Sequence, residues 1–377
     1  MKHIDWSWDI HRLAVDRLGW QRPFPRGTSG KRLLFITEKD ILCQTQVFPF
    51  WHHRADFAGR HRIELRELPL ARFLAGKNPY PDADAVCFQT FFDLSPDDVA
   101  GMAELVQAAF PAATLAYVDW FAPTDLRYAE ALDGHIAAYV KKQVFRDFGQ
   151  YGETTLGDTN LTDYYARRFQ LQDYVPTRFE VPPGFKDKLC LSPHFAFSPH
   201  MLPYFRREFP AGPRDIDLHA RIAVKGTEWY SRMRQEAQDK VRSLEGRLTV
   251  ASRGHVPREE YFRELFRAKT CFSPFGYGEV CWRDFEAIFT GALLLKPDMS
   301  HLDCSPEVFL PYETYVPVAW DLSDFEDKLD HYLGHEDERQ AIARQAFELL
   351  RDYFREQRFM ADVVPLLQRL KLIEAGP

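Results

Sequence analysis

The chain has 377 residues, of which 45% are hydrophobic, 27% charged and 15% aromatic, with a formal net charge of −7 and a pI near 6.0. That length exceeds one ordinary hydrophobic core, so two domains are expected, and the composition excludes disorder for the bulk of the chain. The acidic balance argues against nucleic acid as a partner, because such a protein needs a basic face.

The elements follow in chain order. Residues 1–30 are aromatic and basic, end in a Pro/Gly-rich stretch, and read as a lead-in. Lys31–Thr37 is a short apolar run, hence a first buried strand. A loop over 38–46, a helix over 50–58 and a strand over 63–68 follow. Residues 83–89 form a clearer strand. Ser95 as N-cap, Pro96 at the first helical position and two acids in the first turn predict a helix through Phe110. Thr114–Val118 is a strand, 126–132 a helix and 136–140 a strand. After a Gly/Thr-rich loop, Asn160 or Thr162 caps a helix through Phe169. The Pro-, Phe- and His-rich stretch 181–213 holds the interdomain connection.

The pattern then restarts, with strands over 215–222, 248–252, 270–273, 292–296 and 315–318. Helices are expected over 227–244, 257–268, 279–290, 322–333 and 341–358, and a last helix follows. Two successive βα series indicate an α/β protein with two Rossmann-like domains facing a cleft, over 31–200 and 201–377, the terminal helices belonging to the second.

Other classes are thinly supported. The six cysteines, at 43, 87, 190, 271, 281 and 304, form no CxxC pair and no zinc spacing, and read as buried thiols in a reducing compartment. No Gly-x-Gly-x-x-Gly follows the first strand, which disfavours an NAD-dependent oxidoreductase. Asp82-Ala-Asp84 precedes its strand, at the wrong end of a sheet for metal work, so no metal and no cofactor are expected. The N-terminus lacks the apolar stretch of a secretory signal and no run reaches membrane-spanning length. A cytoplasmic protein is therefore expected, with peripheral contact at the inner face of a membrane left open, as is the oligomeric state.

The informative segment runs from Cys271 to Asp298: strand, Gly-rich turn, helix, Gly stop, strand. Helical spacing places Cys281, Phe285, Ile288 and Ala292 on one face, with Glu279, Arg283, Glu286 and Thr290 opposite. Gly276 and Gly278, flanking Tyr277, let backbone N–H groups approach a pyrophosphate, and the helix N-terminus favours its charge. Arg283 suits bidentate phosphate contact, and a carboxylate further on suits ribose hydroxyls. Arg221 and Lys225 after one strand, and Arg253 after the next, sit at carboxyl ends where open α/β sheets bind ligands. By contrast, Arg206-Arg207 and Arg232–Arg234 read as solvated helix faces, His52-His53 as structural and His219 as core.

This segment resembles the nucleotide-sugar-binding region of GT-B glycosyltransferases of the group 1 and exostosin-like kind. There a Ser/Pro-Gly turn leads into Arg-x-x-Glu-Ala, then Gly and an apolar strand; here those are Ser273-Pro274, Gly276, Gly278, Arg283–Ala287, Gly291 and 292–296. The resemblance implies that Glu286 binds the donor ribose and that Gly278 and Glu279 lie near the phosphates or donor sugar. Many retaining members place the two glutamates eight apart; Glu279 and Glu286 are seven apart, which leaves retention or inversion open. It further implies transfer from a nucleoside-diphosphate sugar, used as co-substrate, to a hydroxyl of a glycan or lipid-linked acceptor in polysaccharide or glycoconjugate synthesis. The first domain would hold the acceptor. Asp119, at the end of Thr114–Val118, is the first candidate for catalytic base, with Glu38 and Asp40 next. The alternatives are a GT-B-fold sugar-nucleotide epimerase and a non-catalytic nucleotide- or glycan-binding partner in an assembly complex.

Overall fold

The computed structural model describes residues 22–25, 30–192, 196, 198 and 201–374, so most of the lead-in lies outside the described residues. The N-terminal sheet contains β1 (Lys31–Thr37), β2 (Ile63–Pro69), β3 (Ala85–Phe88), β4 (Thr114–Val118) and β5 (Ala138–Lys141). Next come β6 (Gln143–Phe145), the short pair β7 (Thr155–Leu156) and β8 (Pro176–Thr177), and β9 (Leu189–Leu191). The sheet order is β2-β1-β3-β4-β5-β9, parallel throughout. In the second half β10 (Ile216–His219), β11 (Val250–Ala251), β12 (Ala268–Phe272), β13 (Leu293–Pro297) and β15 (Val316–Val318) form a five-stranded parallel sheet, ordered β11-β10-β12-β13-β15. Helical crossovers cover both sheets, which is why the central strands are apolar runs without alternation. The expected pair of Rossmann-like domains is present.

Three local features differ from the sequence reading. The helix expected over 50–58 is Ile41–His52, capped by Asp40, whose carboxylate accepts from the Leu42 N–H at 2.7 Å. Cys43 through Trp51 are all buried, so no polar face marks the helical period. The helix expected from Glu279 is Trp282–Thr290: Asp284 accepts from the Cys281 N–H at 2.7 Å and fixes its start, and Gly291 ends it in the left-handed conformation (φ 71°). The helix reaching Phe169 is capped by Thr159, whose hydroxyl accepts from the Thr162 N–H at 2.9 Å, rather than by Asn160 or Thr162.

The end of the chain also departs from its assignment to the second domain. Tyr353, Phe359, Met360, Val363, Leu366, Leu367, Leu370 and Leu372 share a core with Leu33, Phe35, Phe50 and Val118 of the N-terminal sheet. Earlier in the chain, Ile342 and Ala343 share a core with Leu218, Leu293 and Val316 of the second sheet, so the chain crosses back to the first sheet after them. The domains meet again at β6, which pairs antiparallel with β14 (Leu302–Cys304) of the second half.

Candidate active site between the sheets

The carboxyl ends of both parallel sheets turn toward one cleft. Beyond β1, β3, β4 and β5 lie Asp40, Phe92-Asp93, Trp120–Pro123 and Lys142; beyond β12 lies the turn 273–282, followed by Arg283 and Glu286. Apart from Phe275 and Glu279 of the turn, these residues line a cavity of about 890 Å³, to which Asp158, Thr159 and Thr162 contribute from the third side. A second cavity of about 1110 Å³ lies beyond β10 and β11, lined by Arg221–Val224, Ser252–Val256, Arg258 and Tyr261. Glu286 lines both.

The cleft's cations fall into two kinds. Arg221 makes a two-point ion pair with Glu264 (2.6 and 2.7 Å), and Arg253 is exposed and paired with Glu245. Both line the outer cavity, already engaged. Lys225 is exposed and lines neither cavity. Arg234 and Arg283 have no carboxylate ion pair among the described residues. Arg234, 9% exposed, donates to the carbonyls of Ala223 (2.9 Å) and Phe275 (3.0 Å). Arg283 donates to the Arg221 carbonyl and the Tyr261 hydroxyl. Burial pulls the Arg234 guanidinium below its ordinary value; at Arg283 burial acts the same way but is outweighed by Tyr261, Cys271 and Glu286. Both guanidiniums are oriented by neutral oxygens and neither has a carboxylate in ion-pair range among the described residues, although Glu286 acts on Arg283 from further off; such groups are suited to an anion. Arg234 therefore corrects the solvated-face reading of 232–234. Its signal was in the sequence: it is spaced three and seven residues before Ala237 and Val241 on the buried stripe of its helix.

Glu286 accepts from the Tyr261 hydroxyl at 2.6 Å; burial raises its carboxyl above the usual range, and Tyr261 and Arg283 partly offset that. Glu279 stands elsewhere. It is fully buried, precedes the helix and lines neither cavity. Its carboxylate accepts from Thr124 of the first domain (2.9 Å) and Asn160 (2.8 Å), with the His301 ring 3.6 Å away. Burial would raise its pKa, but these three partners outweigh burial and hold it below the usual value. Gly278 beside it is another joint: a Cβ there would stand 1.9 Å from the Ala122 carbonyl oxygen, so only glycine lets the two backbones touch. The expected placement of Glu279 at the donor sugar is thus corrected, since the turn carries it into the domain joint.

The three base candidates also separate. Asp119 is buried, accepts from Lys141 and Tyr139 (both 2.7 Å) and from the Phe121 N–H (2.9 Å), and lines neither cavity. Its carboxylate organises the turn after β4. Glu38 accepts from the Lys39 N–H and lies outside both cavities. Asp40 alone of the three lines the cleft. Lys142, buried there with its amine on the Trp120 carbonyl (2.9 Å), went unnoticed in the sequence; burial lowers its pKa to about 8. Asp82 and Asp84 hold Arg32 at the amino ends of the strands. His53 and His219 are buried, and burial lowers His52 to about 4 and His219 to about 3. All six cysteines are free. No described helix is long and apolar enough to cross a membrane, and no described cluster of three His, Cys, Asp or Glu is placed to hold a metal ion.

Residues 210–364 match the family described as glycosyl transferase-like, which covers both cavities' C-terminal walls. The chain has the GT-B glycosyltransferase fold. It is similar in structure to a glycosyltransferase from Rickettsia africae ESF-5, with a TM-score of 0.51 and 8% identity, over 92% of this chain and 100% of that one. TarM matches at a TM-score of 0.44 and 10% identity over 77% of this chain and 55% of its own. The C-terminal domain of the group 1 glycosyl transferase LpcC from Francisella tularensis matches at 0.25 and 16%, over 34% of this chain and 65% of its own. No curated protein matches by sequence.

Proposed function

We propose that this GT-B protein transfers a glycosyl group from a nucleoside-diphosphate sugar to a hydroxyl of a glycan or lipid-linked acceptor. The observation that carries the reading is the pair Arg234 and Arg283, two cleft guanidiniums without carboxylate partners among the described residues, beside a helix N-terminus. The diphosphate would lie on them and on the turn around Gly276. The ribose would sit at Glu286, where the two cavities join, and the base in the outer cavity beyond Arg221. Departure of the diphosphate would then be stabilised by fixed cations and dipoles. Asp40 would take the acceptor proton as the new bond forms. A thermal-shift panel of nucleoside diphosphates tests this. The matching nucleotide at a hundred times its Kd should stabilise the protein by about 2.7 kcal/mol, and transfer should survive EDTA. A panel in which no nucleotide shifts the transition would overturn the reading.

A further inference from the structure

Phe92 is the most exposed phenylalanine, tyrosine or tryptophan among the described residues, at 63%, and it lines the cleft. Exposing a phenyl ring inside a cavity forgoes its burial, so the ring needs a reason to be there. Its base is rigid. Phe92 meets Phe121 edge-on at 5.2 Å and Trp120 at 5.9 Å, and those two rings are themselves 4.9 Å apart. The loop is pinned at both ends: the Trp120 indole donates to the Thr90 carbonyl (2.9 Å) and the Tyr128 hydroxyl to the Leu94 carbonyl (2.8 Å). Between the pins, Asp93 is held in the left-handed conformation at φ 60°. Its carboxylate lines the cleft with no hydrogen bond or ion pair among the described residues.

We infer that the loop 91–94 is the acceptor subsite and that it takes a pyranose ring, Phe92 stacking on the C–H face and Asp93 accepting from its hydroxyls. This rests on the glycosyl-transfer reading and chooses within it. A lipid tail would have to desolvate Asp93, which offers it nothing in return. The phosphates of a second nucleotide would be repelled by the same carboxylate. A sugar has both parts: an apolar face for the ring and donors for the carboxylate, one residue apart in the loop.

The test is saturation-transfer NMR on the full chain with methyl β-glucopyranoside, methyl β-galactopyranoside and methyl N-acetyl-β-glucosaminide, and with 1-octanol as the lipid-tail probe. At least one pyranoside should be saturated through its ring C–H protons. Its affinity should fall about tenfold in Phe92→Ala, recover in Phe92→Trp, and fall again in Asp93→Asn. Phe92 is exposed, so Phe92→Ala should melt with the parent and bind nucleoside diphosphate equally well. That last measurement separates this proposal from the donor reading, which fails only if the parent binds no nucleotide. Saturation of octanol alone, of no pyranoside, or of a pyranoside equally in Phe92→Ala would overturn the subsite.

Discussion

The two walls of the cleft are built from the same parts, carboxyl ends of parallel strands and the turns beyond them, yet they carry opposite chemistry. On the C-terminal wall the carboxylates of the inner cleft are few and Arg234 and Arg283 are left to neutral oxygens. On the N-terminal wall Lys141 is spent on Asp119 and Arg127 on Asp125 (2.7 Å) and Asp158 (3.0 Å), while Lys142 holds the Trp120 carbonyl (2.9 Å). What that wall offers instead is Asp40, Asp93 and the aromatic edge of Phe92, Trp120 and Phe121. On the proposed reading, one wall takes the polyanion and the other a neutral compound with hydroxyl groups. The difference shows that the function of a side chain here depends on whether the fold has already supplied its partner.

The comparison can be broken at several points. The largest effect is expected at Asp40. Asparagine caps a helix as well as aspartate, so Asp40→Asn removes basicity and keeps the helix Ile41–His52. Transfer should fall about 10²–10⁴-fold with donor affinity unchanged; turnover within a few-fold of the parent in a steady-state assay would remove Asp40 from the mechanism. Next comes Arg234→Met, which keeps the buried stem and deletes the charge. Nucleoside-diphosphate affinity by calorimetry should drop by roughly 10–150-fold, the worth of one charge-assisted hydrogen bond of about 1.5–3 kcal/mol.

Glu279 sharpens the comparison from the other side, because its effect should be on stability and not on the donor. Its folded pKa lies below the unfolded value of 4.5, so it stabilises the protein fully above that pH, and the contribution is lost as pH falls through the folded pKa. Glu279→Gln should therefore cost roughly 1–3 kcal/mol in urea unfolding at pH 7, and progressively less as the pH is lowered below 4.5. A deficit that does not shrink on acidification would mean the carboxylate's charge is not what joins the domains. The smallest effect belongs to Arg253, whose side chain is 79% exposed. Arg253→Ala should leave the urea-unfolding midpoint and the donor affinity almost untouched.

Much of this was legible in the sequence because it depends on local spacing. The strands of both sheets, the Ser95 cap and the strand–turn–helix–Gly–strand order around Glu286 are all set by residues within one turn or one strand of each other. What was not legible depends on distant partners. Asp119 and Glu279 look like cleft carboxylates in one dimension. Lys141 and Tyr139 claim the first, and Thr124 and Asn160, 155 and 119 residues away, claim the second. The helix Ile41–His52 was hidden because Cys43 through Trp51 are all buried, leaving no polar face to mark the period. Phe92 and Asp93 carry no motif at all; their meaning comes from the rings beneath them.

The most direct test of the central claim is calorimetric titration of the matching nucleoside diphosphate into the parent and Glu286→Ala proteins. Glu286 joins the two cavities, so if the nucleotide spans them its ribose must meet this carboxylate. Affinity should fall by at least about tenfold, as expected for losing one or two charge-assisted hydrogen bonds, with the thermal transition of the free protein little changed. Equal affinity in the two proteins would contradict the account.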